Sequence, residues 1–119
     1  MSGVRKRGIL QAAAAASWLA AMPAAGLAVE GTSCPRLDGK APRALDLFDG
    51  SPEELAYLIP DRATKTEATW AVGYVYDAGR MLTIRCRYDG KRVVDVTVPR
   101  VERCGYRVLP GSGLNMTCR

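Results

Sequence analysis

The residues of this chain that could do chemistry are four cysteines, Cys34, Cys86, Cys104 and Cys118, and a carboxylate cluster, Asp49, Glu53, Glu54 and Asp61. Histidine is absent from all 119 residues. That removes imidazole acid–base catalysis, His-activated nucleophiles and His metal ligands. No two cysteines are closer than 14 positions, so neither a zinc-type C-x-x-C pair nor a dithiol redox site is present. Neither a metal nor a cofactor is expected. The carboxylates could serve a glycosidase. However, Asp49 falls at a turn and Glu53 and Glu54 fall in the first turn of an expected helix, positions that account for them without catalysis. Ser33, Ser51 and Ser112 have no His partner and no nucleophile-elbow context. Asn115-Met116-Thr117 matches a glycosylation sequon, a pattern short enough to recur by chance. No catalytic residue is assigned.

An even cysteine count in a short chain reads as a disulfide framework when the chain is exported. The N-terminus supplies that condition. Arg5, Lys6 and Arg7 precede an apolar, Ala-rich run from Gly8 to Met22, Pro23 follows, and Gly26-Leu27-Ala28 places small residues at a cleavage site. This is the three-part pattern of a secretory signal peptide over 1–28, of the Sec type. Lys6-Arg7 is an incomplete twin-arginine pair, and no lipobox precedes Cys34. The apolar run is too short and Ala-rich for a permanent membrane span. Cleavage after Ala28 leaves 91 residues, one small domain at most. These divide into an irregular arm over 29–43, rich in Gly and Pro, and a single domain over 44–119.

The formal charge of +5 falls to +2 once residues 1–28 are removed, which takes away the compositional case for nucleic-acid binding. The remainder is uneven: residues 29–77 carry a net −4 and residues 78–119 a net +6. Either the two halves face each other, or both faces are simply solvated, or the second half offers a basic surface to an anionic partner. Arg85 and Arg87 on one strand face, with Lys91 nearby, are the residues that would form such a surface.

Several elements must position these groups. Ala44–Phe48 reads as a short strand ending at Asp49-Gly50. Ser51-Pro52-Glu53-Glu54 reads as a capping box, and Leu55, Leu58 and Ile59 give helical spacing until Pro60, so a two-turn helix is expected. From Trp70 the period becomes two. A loop at Gly79 would set Trp70 opposite Cys86, and a loop at Tyr88-Asp89-Gly90 would set Ile84 opposite Val94 and Leu82 opposite Val96. Trp70, Tyr74, Tyr76 and Tyr88 would then share a buried face. A last hairpin centred on Gly111 sets Cys104 opposite Cys118, close enough for a bridge. The favoured pairs are Cys104–Cys118 and, for the remaining two, Cys34–Cys86, which would clip the arm to the domain. The expected architecture is α+β: an antiparallel meander of four to five strands packed against one short helix.

Cys34-Pro35, the segment Phe48-Asp49-Gly50-Ser51-Pro52-Glu53-Glu54-Leu55-Ala56 with Leu58-Ile59-Pro60-Asp61, then Trp70, Cys86-Arg87-Tyr88 and Cys104 together resemble a family of small exported bacterial proteins known by an STY-type locus name. The resemblance spans most of residues 34–104. It implies a periplasmic setting and carries no catalytic residues. Export, two bridges and the lack of a catalytic constellation lead to a non-enzymatic domain that binds another protein or an envelope component; an inhibitor of a secreted hydrolase is one version. The alternatives are a carboxylate-based hydrolase of cell-wall material and a structural accessory of the envelope.

Overall fold

A computed structural model describes residues 27–119. All of the expected signal segment except Leu27 and Ala28 lies outside the described residues. Eight strands build two four-stranded sheets. In chain order they are β1 (Leu27–Glu30), β2 (Ala44–Asp49), β3 (Arg62–Ala63), β4 (Glu67–Ala71), β5 (Leu82–Arg87), β6 (Val93–Val98), β7 (Arg103–Val108) and β8 (Leu114–Cys118). Sheet one runs β1-β6-β5-β2 and sheet two runs β3-β4-β7-β8. The one α-helical element among the described residues is a five-residue turn, α1 (Gly73–Asp77). The α+β expectation is therefore corrected: the protein is mostly β, and no helix packs on a single meander.

Two local competitions explain the difference. Pro52–Glu54 starts as expected but forms only a 3-10 turn, without a cap from the Ser51 side chain. Leu55 then adopts a left-handed φ of 58° and ends the turn. The chain continues extended along the outer edge of β2, where Asp49 N–H donates to Ala56 O and Leu58 N–H donates to Leu47 O. Two helical turns are marginal in isolation, whereas this extended path covers an otherwise open strand edge. In the second case, the alternation of Trp70, Val72, Tyr74 and Tyr76 masks a helical spacing. Val72 and Val75 are fully buried and Tyr76 is half-buried, an i, i+3, i+4 set. Tyr74 is left 57% exposed rather than buried as expected.

Strand partners changed as well. Trp70 lies opposite Cys104 in sheet two, not opposite Cys86. Within sheet one, Ile84 pairs with Val96 and Leu82 with Val98, two residues from the expected register. The connection between them contains a turn at Asp89–Lys91, with Gly90 and Lys91 both at positive φ. A two-residue shift keeps every side chain on its face, so apolar patterning could not discriminate the two registers. The final hairpin has Cys104 opposite Cys118 and Tyr106 opposite Met116, as expected.

The inner faces of both sheets meet in one core. Leu47, Ile84 and Val96 come from sheet one, and Trp70, Cys104 and Met116 from sheet two. Removing such side chains from water is the main stabilising term. Two disulfides brace it. Cys34–Cys86 fastens residues ahead of β2 to sheet one, and Cys104–Cys118 joins β7 to β8 within sheet two. Tyr88 donates its hydroxyl to Pro35 O beside the first bridge. Two bridges and no free thiol among the described residues fit an oxidising, exported environment. Among the described residues no helix is long and apolar enough to cross a membrane.

Candidate functional site

Because side chains alternate along a strand, turning buried Cys104 and half-buried Tyr106 and Val108 to one face of β7 sends Arg103, Gly105 and Arg107 to the other. The same parity sends Asn115 and Thr117 outward on β8, and Glu67 and Thr69 outward on β4. The register assembles them into rows across sheet two. Thr69, Gly105 and Thr117 form one row, with Arg62 opposite Thr69 on β3. Glu67, Arg107 and Asn115 form the next. On the other side, Arg103 and Arg119 exchange two backbone hydrogen bonds of 3.0 and 2.9 Å and so stand side by side.

Gly105 shapes this face. It sits in the central part of the sheet, where a Cβ would stand 3.2 Å from the Ala68 carbonyl oxygen and 3.4 Å from the Thr69 methyl. Glycine thus permits the close approach of β4 and β7, and its missing side chain leaves a dip. Two shallow hollows share the row Thr69, Gly105 and Thr117. One, of about 220 Å³, extends toward Arg107 and Asn115. The other, of about 100 Å³, extends toward Arg103 and Arg119.

The charges here are largely unanswered. Arg62, Arg103 and Arg119 have no Asp or Glu side chain within 4.0 Å among the described residues. Arg107 has Glu67 at 3.7 Å, with both side chains more than half exposed. Like charges directly opposite each other weaken a sheet, so the two guanidiniums add no ion pair to the backbone hydrogen bonds that Arg103 and Arg119 exchange. The Cys104–Cys118 bridge lies between these arginines and the Gly105 row and holds the two strands in register.

The residues expected at an anionic-partner surface behave differently. Arg85 and Arg87 do share the outer face of sheet one. Arg85 makes a two-pronged ion pair with Asp95, at 2.7 and 2.8 Å, and its guanidinium lies 5.7 Å from the centre of the Phe48 ring. The Asp95 hydrogen bond raises the Arg85 pKa above its ordinary value. Arg87 holds Asp46 at 2.7 Å. Lys91 is exposed in the turn after β5 and is not part of that face. The carboxylate cluster is also engaged. Asp49 and Glu54 both accept from Arg80, which their hydrogen bonds stabilise in its charged form. Asp61 accepts from the Ala71 amide at 2.5 Å.

Sequence reasoning passed over the face of sheet two. The signal was within reach: once Cys104 and Cys118 are set opposite each other on the apolar side, Arg103, Gly105, Arg107, Asn115 and Thr117 must share the opposite side. The missing part was β4, whose pairing with β7 joins segments far apart in sequence. Compared with known proteins, the chain matches no family model, no curated protein and no solved structure.

Proposed function

We propose that this protein is a non-enzymatic binding module, exported to the periplasm with loss of residues 1–28, which leaves Val29 and Glu30 of β1 beside β6. In this reading it takes an anionic envelope partner on the outer face of sheet two. The observation that carries the reading is the unpaired arginine set around Gly105. Arg62, Arg103 and Arg119 have no Asp or Glu partner among the described residues, and they border hollows a ligand can enter. Guanidinium groups suit carboxylates and phosphates because their donors are fixed in a planar fork. The pairing of Asp49 and Glu54 with Arg80 also favours binding over carboxylate chemistry. The resemblance to small exported proteins is consistent with the setting.

Chemical-shift mapping of the oxidised protein at low salt tests the proposal. A short polyanion should perturb amides of β4, β7 and β8 around Thr69, Gly105 and Thr117. Shifts confined to the Arg85 and Arg87 region of sheet one, or none at all, would overturn it.

A further inference from the structure

The face of sheet two carries more pattern than positive charge. Arg103 and Arg107 stand four residues apart on β7, about 14 Å along a strand. Between them, Thr69 and Thr117 flank Gly105, roughly 10 Å from β4 to β8. Asn115 extends the polar lining beside Arg107. Cationic ends thus bracket a centre made of hydroxyl and amide groups, with Arg103 free of an Asp or Glu partner among the described residues and Arg107 facing Glu67 at 3.7 Å. No large apolar side chain interrupts it: among the described residues, those exposed are Val29, Leu55, Tyr57, Ile59, Tyr74 and Met81, none of which belongs to β4, β7 or β8.

This composition separates the two kinds of polyanion such a surface could meet. A protein partner ordinarily docks on aromatic or aliphatic anchors surrounded by a polar rim. Here the rim is present without the anchors. Hydroxyl and amide side chains instead match a ligand that itself carries many hydroxyls, because each can both donate and accept. The two hollows on either side of the Gly105 row suit an extended chain lying across the dip, with an anionic group toward each arginine.

We infer that the ligand of this face is an acidic polysaccharide, a polymer whose carboxylate or acidic ester groups are borne on hydroxyl-rich rings. The inference rests on the binding reading above and names the chemistry of its partner. The row Thr69, Gly105 and Thr117 recognises the ring hydroxyls, and Arg103 and Arg107 recognise the charges.

Affinity of the oxidised protein for three soluble polymers tests it: polygalacturonate, dextran sulfate, and polyglutamate matched in length and charge. At least one of the two glycans should bind roughly tenfold more tightly than polyglutamate, the effect of one or two added hydrogen bonds. The tighter of the two identifies the anion as carboxylate or ester. Thr69→Val with Thr117→Val should erase that advantage, weakening glycan binding about tenfold more than polyglutamate binding. Thr117→Val alone, at an exposed strand position, should reduce it if the double variant does not fold. Glycan and polyglutamate affinities that are equal in the wild type, or an advantage that survives loss of the hydroxyls, would overturn the inference while leaving the binding reading intact. Failure of all three polymers to bind would overturn both.

Discussion

Both sheets turn an arginine-bearing face to solvent, and the two faces treat those arginines in opposite ways. On sheet one the guanidiniums are spent on neighbouring strands: Arg85 grips Asp95 of β6, and Arg87 grips Asp46 of β2. On sheet two, Arg62, Arg103 and Arg119 grip no carboxylate among the described residues, and Arg107 meets Glu67 only at 3.7 Å. The positive excess of residues 78–119 is mostly cancelled by the acidic first half. Asp38, Asp46, Asp49, Glu54, Glu67 and Asp77 each meet an arginine of the second half. Of the second-half arginines without an Asp or Glu partner among the described residues, Arg103 and Arg119 lie beside Gly105. An arginine count alone therefore says little; the cross-strand partner decides whether the charge braces the fold or stays available.

Removing each sheet's bridge should give the largest contrast. Cys34 and Cys86 are 52 residues apart, and Cys104 and Cys118 are 14 apart. In the chain-entropy account, replacing both members of a pair by alanine costs about 4 kcal/mol for the first bridge and about 3 kcal/mol for the second. Denaturant unfolding should rank them in that order. Polyanion binding should rank them the other way, because only the second bridge holds β8 beside Arg103.

Single arginines should separate the faces next. Arg85→Ala should lose about 1 kcal/mol, since it removes a two-pronged but partly exposed ion pair and a contact with the Phe48 ring. Its polyanion affinity should match the wild type. Arg103→Ala should change stability by less than about 0.5 kcal/mol, with a gain no surprise, because it removes a like-charge neighbour of Arg119. Its affinity should fall. Thermal unfolding with a parallel binding assay reads both quantities; a stability loss at Arg103 matching that at Arg85 would dissolve the contrast.

The smallest expected effect is a pH dependence confined to the side of sheet one. Burial raises the phenol pKa values of both Tyr76, which donates to Val98 O, and Tyr88. In the unfolded chain these phenols release their protons first. Their contribution is therefore complete below about pH 10 and declines as pH rises through the folded-state values. The thermal midpoint should drop above about pH 10, and Tyr88→Phe should flatten part of that drop.

Legibility in the sequence followed locality. The β7–β8 hairpin and the Cys104–Cys118 bridge could be reasoned from parity, because both cysteines lie within one hairpin, and Cys34–Cys86 followed as the remaining pair. The face of each β5 and β6 side chain was also readable, though their register was not: a slip of two residues leaves Ile84 and Val96 buried all the same. The pairing of Trp70 with Cys104 was not legible, since nothing near Trp70 signals a partner strand 34 positions on. Without that pairing, Arg103, Gly105 and Arg107 have a neighbour on one side only, and the face around Gly105 cannot be assembled. Leu55 through Ile59 misled for a different reason. Their helical spacing is real, but the open edge of β2 offered the backbone a competing set of hydrogen bonds.

The most direct measurement compares two matched double variants, Arg85→Ala with Arg87→Ala and Arg103→Ala with Arg107→Ala. Each loses two positive charges. Their affinities for one acidic polymer are measured across a salt series. The account predicts wild-type affinity and salt dependence for the sheet-one variant. For the sheet-two variant it predicts weaker binding with a shallower salt dependence, since fewer counterions are released from the polymer. Equal weakening in the two variants would show that net charge alone governs binding, and loss confined to the sheet-one variant would place the surface on the opposite face; either result contradicts the account.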